Sequence, residues 1–234
     1  MLSLKLLVTK PGQLAQDYLN GIRVHRINPF QLFLIINVIY FVFIVFVPQN
    51  AFTTPLEVHL NATNFPHHAL ANDMVAQALS EQNLSKTTYA QKFDQLIQVH
   101  SKSLVILLIP MVALISLPLL KECSHKMIAS VVFASHFVSA LLLFMIVFGS
   151  LLYALGGVVD WLGVPHIKAI VFSEAFGSIV MVGFCLSYFA SSLRRINGIR
   201  WPRAIGLATF LVFAFYWIIL IYRMILFFTT FYSL

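Results

Sequence analysis

The chain has 234 residues, of which 60% are hydrophobic and only 10% charged, with a mean hydropathy of +0.89. A soluble fold draws about a quarter of its residues from Asp, Glu, Lys and Arg, so these proportions exclude a soluble domain and require an integral membrane protein. The net charge of +7 does not point to nucleic acid, because the basic residues flank apolar runs, where they orient membrane spans.

Residues 1–28 read as a cytoplasmic interfacial segment. The opening MLSLKLLVTKPG places Lys5 inside a short apolar run and lacks a small-residue cleavage pattern, so no cleavable signal peptide is expected. Pro11 at a helix start, Leu14, Ala15, Tyr18 and Leu19 on one side, and Gly21 as a stop predict a short amphipathic helix at the interface. Residues 29–234 form the membrane domain.

Crossing a bilayer takes about 20 apolar residues. Five segments qualify: Phe30–Val47, Ser103–Leu120, Met127–Leu155, Lys168–Ala190 and Ala204–Thr230. The second is the weakest, because Pro110 and Pro118 free the carbonyls of Ile106 and Leu114; a re-entrant hairpin is the alternative. Charge decides between them. Five crossings with the N-terminus inside put Lys5, Lys10, Arg23, Arg26, Lys121, Lys126, Arg194, Arg195, Arg200 and Arg203 inside, against Lys86, Lys92, Lys102 and Lys168 outside. A hairpin would send the four arginines of Ser191–Arg203 outward, against the positive-inside rule.

The fold class is therefore an all-α membrane bundle of five helices, N-in and C-out, with a partly helical outer loop over residues 48–102. Tyr89, Phe93, Leu96, Ile97, His100 and Leu104 recur at helical spacing, predicting a helix from near Thr87 or Thr88 that runs unbroken into the second span. The first half of the loop, with Pro55, Pro66 and several Asn and Thr residues, reads as irregular. His59, His67, His68 and His100 lie in this loop. Adjacent histidines do not chelate as an i, i+4 pair does, and no acidic or Cys ligand stands at metal spacing, so no metal and no cofactor is expected. Cys123 and Cys185 are too far apart for a redox pair. Asn61 and Asn83 open sequon matches at a frequency near chance. The phenylalanines read as packing and lipid-facing material, and Trp161 and Trp201 as belt anchors.

Glu174 is the only carboxylate and Arg223 the only arginine within these apolar segments. Acidic and arginine side chains at a helix centre cost about 2.5–3.5 kcal/mol, so a partner is expected. Glu174 lies roughly 9 Å below the outer surface and Arg223 roughly 30 Å up the last helix, both in the outer half. Gly177 and Ser178 share the Glu174 side as a close-packing face. The readings are an interhelical staple, a snorkelling Arg, or a substrate or proton site. His136, roughly 13 Å into the third span, is expected to face the interior uncharged, donating to a carbonyl or hydroxyl of a neighbouring helix. A proton relay or ligand site is its alternative. Asn37 is a candidate hydrogen-bonding partner in the first span.

Lys10-Pro11-Gly12, Asp17-Tyr18-Leu19-Asn20-Gly21, Arg23 and Asn28-Pro29-Phe30 resemble a bacterial family of polytopic inner-membrane proteins of unknown function. Further matches are Ile109-Pro110-Met111-Val112-Ala113-Leu114, Val132-Phe133-Ala134-Ser135-His136-Phe137, and Tyr188 to Leu193-Arg194-Arg195. The resemblance implies a multi-pass inner-membrane fold and no known activity. Members usually carry an N-terminal zinc ribbon, but no CxxC precedes Pro11 here. Where the family's third span often shows an acidic-His pair and two later histidines, this chain has Ala129, Ser130, His136 and Val138.

Without a nucleophile–base set, a metal constellation or a phosphate loop, the leading functional reading is a non-enzymatic subunit, scaffold or assembly factor. Its partners would be the lipid bilayer and either another protein or a second copy of the chain. A small transporter or lipid-handling protein gated near Glu174 and Arg223 is the alternative. A metalloenzyme around His136 would need two further ligands. The topology is testable: Cys123 should resist an impermeant thiol reagent in intact cells and react after lysis, while Asn83→Cys should label from outside. Labelling of Cys123 in intact cells would overturn the five-span order.

Overall fold

The computed structural model describes residues 2–22, 26–47, 52–82, 84–120, 126–163 and 165–234. The topology reporters Cys123 and Asn83, and Arg23 and Lys121, which the charge count assigns to the inner side, lie outside the described residues. All regular structure among the described residues is helical: α1 Leu2–Thr9, α2 Gln13–Leu19, α3 Pro29–Phe46, α4 Leu56–Asn61, α5 His68–Gln82, α6 Lys86–Leu104, α7 Leu108–Ser116, α8 Lys126–Leu162, α9 Pro165–Val171, α10 Glu174–Asn197 and α11 Trp201–Phe231. Five helical stretches among the described residues are long and apolar enough to cross a membrane: Pro29–Phe46, Lys86–Leu119, Lys126–Leu162, Glu174–Asn197 and Trp201–Phe231. The number matches expectation; several boundaries do not.

The second stretch leaves α-helical winding near each of its prolines. A 3-10 turn at Val105–Leu107 joins α6 to α7, and a second at Leu117–Leu119 contains Pro118. The first contains Ile106, whose carbonyl loses its α-helical donor to Pro110; the tighter winding re-pairs the backbone locally. The third helix runs to Leu162 rather than Leu155, and its 37 residues span about 55 Å against a hydrocarbon core of about 30 Å. The fourth span starts at Glu174, not Lys168. Ser173 leaves helical geometry (φ −70°, ψ 145°) and its hydroxyl accepts from Phe176 N–H at 3.2 Å, so α9 and α10 are separate helices.

The chain divides into two compact units, Met1–Gln49 with Ile109–Phe215, and Asn50–Leu108 with Tyr216–Leu234. In the first, α8 is the buried member: 61% of its apolar window is enclosed, against 28–33% for the other spanning stretches. The helix α3 packs along it, and α2 packs on both α8 and α10. Stacked and tilted rings join α8 to α10, with Phe137 to Phe189 at 4.3 Å between centroids and Phe144 to Phe184 at 4.1 Å. Apolar burial drives little association between helices in lipid, so these ring contacts and dispersion hold the pair.

The N-terminal segment corrects its sequence reading. Pro11 and Gly12 do not begin the amphipathic helix; they turn between α1, which was not foreseen, and α2. Leu14 and Ala15 are buried as their spacing implied, yet Asp17 is buried with them. Its carboxylate accepts from Arg26 at 2.8 Å and from Gln13 Nε2 at 2.6 Å, and Arg195 of α10 donates to Gln13 Oε1 at 2.6 Å. A chain of charge-assisted bonds thus ties the segment to α10, each bond stronger than a neutral one. Close approach completes it: at Gly12 (φ +80°) an added Cβ would lie 2.6 Å from the Ser192 Cα.

In the second unit the half-loop expected to be irregular forms α4 and α5. Distant residues complete these helices. Pro55 has no side-chain acceptor to cap α4, and Asp94 of α6 supplies it, accepting from Leu56 N–H at 2.8 Å. Asn72 of α5 donates to the Leu60 carbonyl at 3.0 Å, satisfying the other end. As the periodicity indicated, α6 begins near Thr87, at Lys86, with Ser85 as its cap accepting from Thr88 N–H at 3.2 Å.

Gly12→Ala should lower thermal stability in detergent by at least about 1–3 kcal/mol, since it combines left-handed strain with a backbone clash. Gly21→Ala, at φ +79° with nothing within 4 Å, carries the strain alone and should cost less. Equal losses would show that contact with Ser192 does not anchor the turn.

Candidate functional site

The intramembrane histidine closes on its own helix. His136 is 2% exposed and its Nδ1 lies 2.8 Å from the Val132 carbonyl, one turn earlier. A carbonyl only accepts, so Nδ1 carries the proton. The expected interior, hydrogen-bonded ring is present, but its acceptor is the same helix rather than a neighbouring one. Ser135 and Ser139 flank it with bonds of the same kind, to Val131 and Ser135 carbonyls at 2.8 and 2.6 Å.

The other candidates are dispersed. Asn37 is half-buried, and its side-chain oxygen has no hydrogen-bond partner among the described residues. Glu174 is exposed in the first turn of α10, where a carboxylate complements the helix dipole without needing a cation. The close-packing face expected beside it is open, since a Cβ on Gly177 would meet nothing within 4 Å among the described residues. Arg223 belongs to the second unit, half-buried, with its guanidinium carbon 5.3 Å over the ring of Phe65. Glu174 and Arg223 belong to different units.

Around Arg223 the structure assembles a cluster that sequence reasoning missed. His59 of α4 is fully enclosed and His67, just before α5, is 3% exposed. His59 Nδ1 and His67 Nε2 lie 2.9 Å apart, one donating and the other accepting. Phe65, Phe93 and Phe227 ring His59 with centroids 5.6, 6.1 and 5.2 Å away. The outward nitrogens, His59 Nε2 and His67 Nδ1, are buried without a hydrogen-bond partner among the described residues. Nearby, His100 Nδ1 and Thr230 Oγ1 are 3.1 Å apart, linking α6 to the end of α11. The adjacent pair His67-His68 drew attention in the sequence, yet the pairing joins positions eight apart across the Phe65-Pro66 turn. The two rings do not share one helix or strand, since α4 ends at Asn61 and His67 precedes α5, so a spacing of eight read along the sequence gives no sign of the contact.

This cluster favours neutral rings. Burial pushes the His59 pKa down from 6.5 to about 3, reinforced by the positive potentials of His67 and Arg223 and opposed by the Thr54 backbone. Burial also lowers His67, with help from His68. Among the described residues no three His, Cys, Asp or Glu side chains come together as a metal-binding group. The arrangement suits a polar knot in an aromatic core, whose charge state responds to acid.

The family described as "Protein of unknown function (DUF3667)" matches residues 1–41. That segment contains α1, α2 and most of α3. No curated protein and no solved structure matches the chain.

Because the folded pKa values lie below the unfolded value, the unfolded chain binds more protons between pH 6.5 and about 3. Stability contributed by the neutral pair is complete above pH 6.5 and declines as pH falls through that window. His59→Phe or His67→Phe alone should cost about 1–3 kcal/mol by orphaning the partner nitrogen. The double variant should cost less than the sum and lose most of the acid sensitivity, measured as melting temperature against pH. Additive losses with an unchanged pH profile would show that the two rings do not act as a pair.

Proposed function

We propose that the chain is a multi-pass protein of the bacterial inner membrane, N-terminus inside and C-terminus outside, acting as a non-enzymatic subunit, scaffold or assembly factor. The carrying observation is how its spans treat their polar groups. Ser130, Ser135, His136, Ser139 and Thr209 each bond a carbonyl one turn earlier in their own helix. Such residues act as packing elements rather than as polar groups turned toward a ligand; Asn37, whose buried Oδ1 has no partner among the described residues, is the departure from this pattern. Glu174 in a first turn and Arg223 over an aromatic ring favour the same reading over a gate at those residues. In this reading α2 lies at the inner interface, carrying Lys10 and Arg26 beside it, and residues 48–102 meet protein partners outside.

Crosslinking in intact membranes, followed by purification in mild detergent, tests the proposal. The expected result is a species heavier than the 26.4 kDa chain, holding a second copy or another protein at fixed stoichiometry. A strictly monomeric chain that drives solute uptake in proteoliposomes, with uptake lost in Glu174→Gln or Arg223→Met, would replace the scaffold with a transporter.

A further inference from the structure

In the first unit, α1 and the Pro11 turn lean against α8 and α10 without filling the space between them. The result is a groove of about 290 Å³, near the lower end of the range for ligand sites. Its walls come from Leu7 and Pro11 on one side, Leu143 and Val147 of α8, and Phe184 and Ser191 of α10. Phe144 of α8 and Phe184 of α10, stacked at 4.1 Å between centroids, both line it. The lining is predominantly apolar, and it runs about 10 Å along α10 from Phe184 to Ser191.

One end of the groove is strongly basic. On α10 the lining positions 184, 188 and 191 continue at helical spacing to Arg194 and Arg195. Lys10 adjoins the lining residue Pro11, and Lys5 lies one turn before Val8, another lining residue. Lys5, Lys10 and Arg194 are exposed. The acidic group described at this end, Asp17, is already neutralised by Arg26 at 2.8 Å. Excess positive charge therefore sits at the mouth of an apolar channel.

We propose that this groove binds one acyl chain of an anionic phospholipid, with the phosphate of its headgroup held by Lys10, Arg194 and Lys5. An apolar slot alone would accept any lipid tail; the basic cluster supplies headgroup selection by attracting an anionic headgroup. The site does not depend on whether the chain works as a scaffold, and its occupant would be structural lipid rather than substrate.

Binding can be measured by native mass spectrometry of the purified full chain titrated with phosphatidylglycerol or phosphatidylcholine of identical acyl chains. The wild type should retain one phosphatidylglycerol with about tenfold preference. Lys5→Gln/Lys10→Gln/Arg194→Gln, confined to exposed positions, should abolish the preference while leaving acyl binding. Val147→Trp, at a groove position that is 61% exposed and so tolerant of size, should block both lipids. Equal retention of the two lipids by the wild type would overturn the proposal. So would a preference that survives the triple substitution, or binding unchanged by Val147→Trp.

Discussion

A polar group inside lipid must find its hydrogen bond within the protein, and the spanning helices obey this mostly one helix at a time. Hydroxyls of α8 and the ring of His136 bond back to carbonyls four residues earlier. Because each helix is then nearly self-sufficient, the contacts between helices can be apolar and aromatic. That freedom explains why α8, the most buried helix, presents phenylalanines rather than polar residues to α10. Asn197 shows the exception that the same rule requires. Its amide donates to the Leu119 carbonyl at 2.8 Å, at the end of the proline-containing 3-10 turn where helical partners run out.

Outside the apolar stretches the balance reverses, and polar side chains organise the backbone over long sequence distances. Asp94 begins α4, Asn72 finishes it, and the chain from Arg26 through Asp17 and Gln13 to Arg195 docks the N-terminal helices. Burying Asp17 would be costly without Arg26, so the pair specifies how the segment docks more than it adds stability. The His59–His67 pair has the same character. Two rings pair through one nitrogen each inside a phenylalanine cage, leaving the outward nitrogens without a partner among the described residues, and Arg223 stacks on one wall of it.

These features give the molecule two kinds of chemistry. The polar groups of α8 are mostly bonded within their own helix. The charge lies at helix ends: Lys5 and Lys10 on the N-terminal segment, Arg194 and Arg195 on α10. A lipid or a protein partner would be recognised at such ends, with apolar grooves providing the contact area.

Composition and periodicity alone determined the class, the number of apolar stretches long enough to span, the loss of backbone donors at Pro110 and Pro118, and the start of α6, because each depends on local backbone chemistry or on transfer from water to lipid. The burial of Leu14 and Ala15 was legible for the same reason. Tertiary structure alone decided what depends on distant partners. It completed α4 through caps supplied by Asp94 and Asn72, formed α5 where an irregular loop was expected, and moved Glu174 from six residues inside the fourth span to its first turn through Ser173. It also joined His59 to His67 across the turn that separates α4 from α5, where no single element carries both rings. A pattern read along one chain reports which face of an element is apolar. It carries no record of which polar atom, brought from elsewhere, will complete that element's ends.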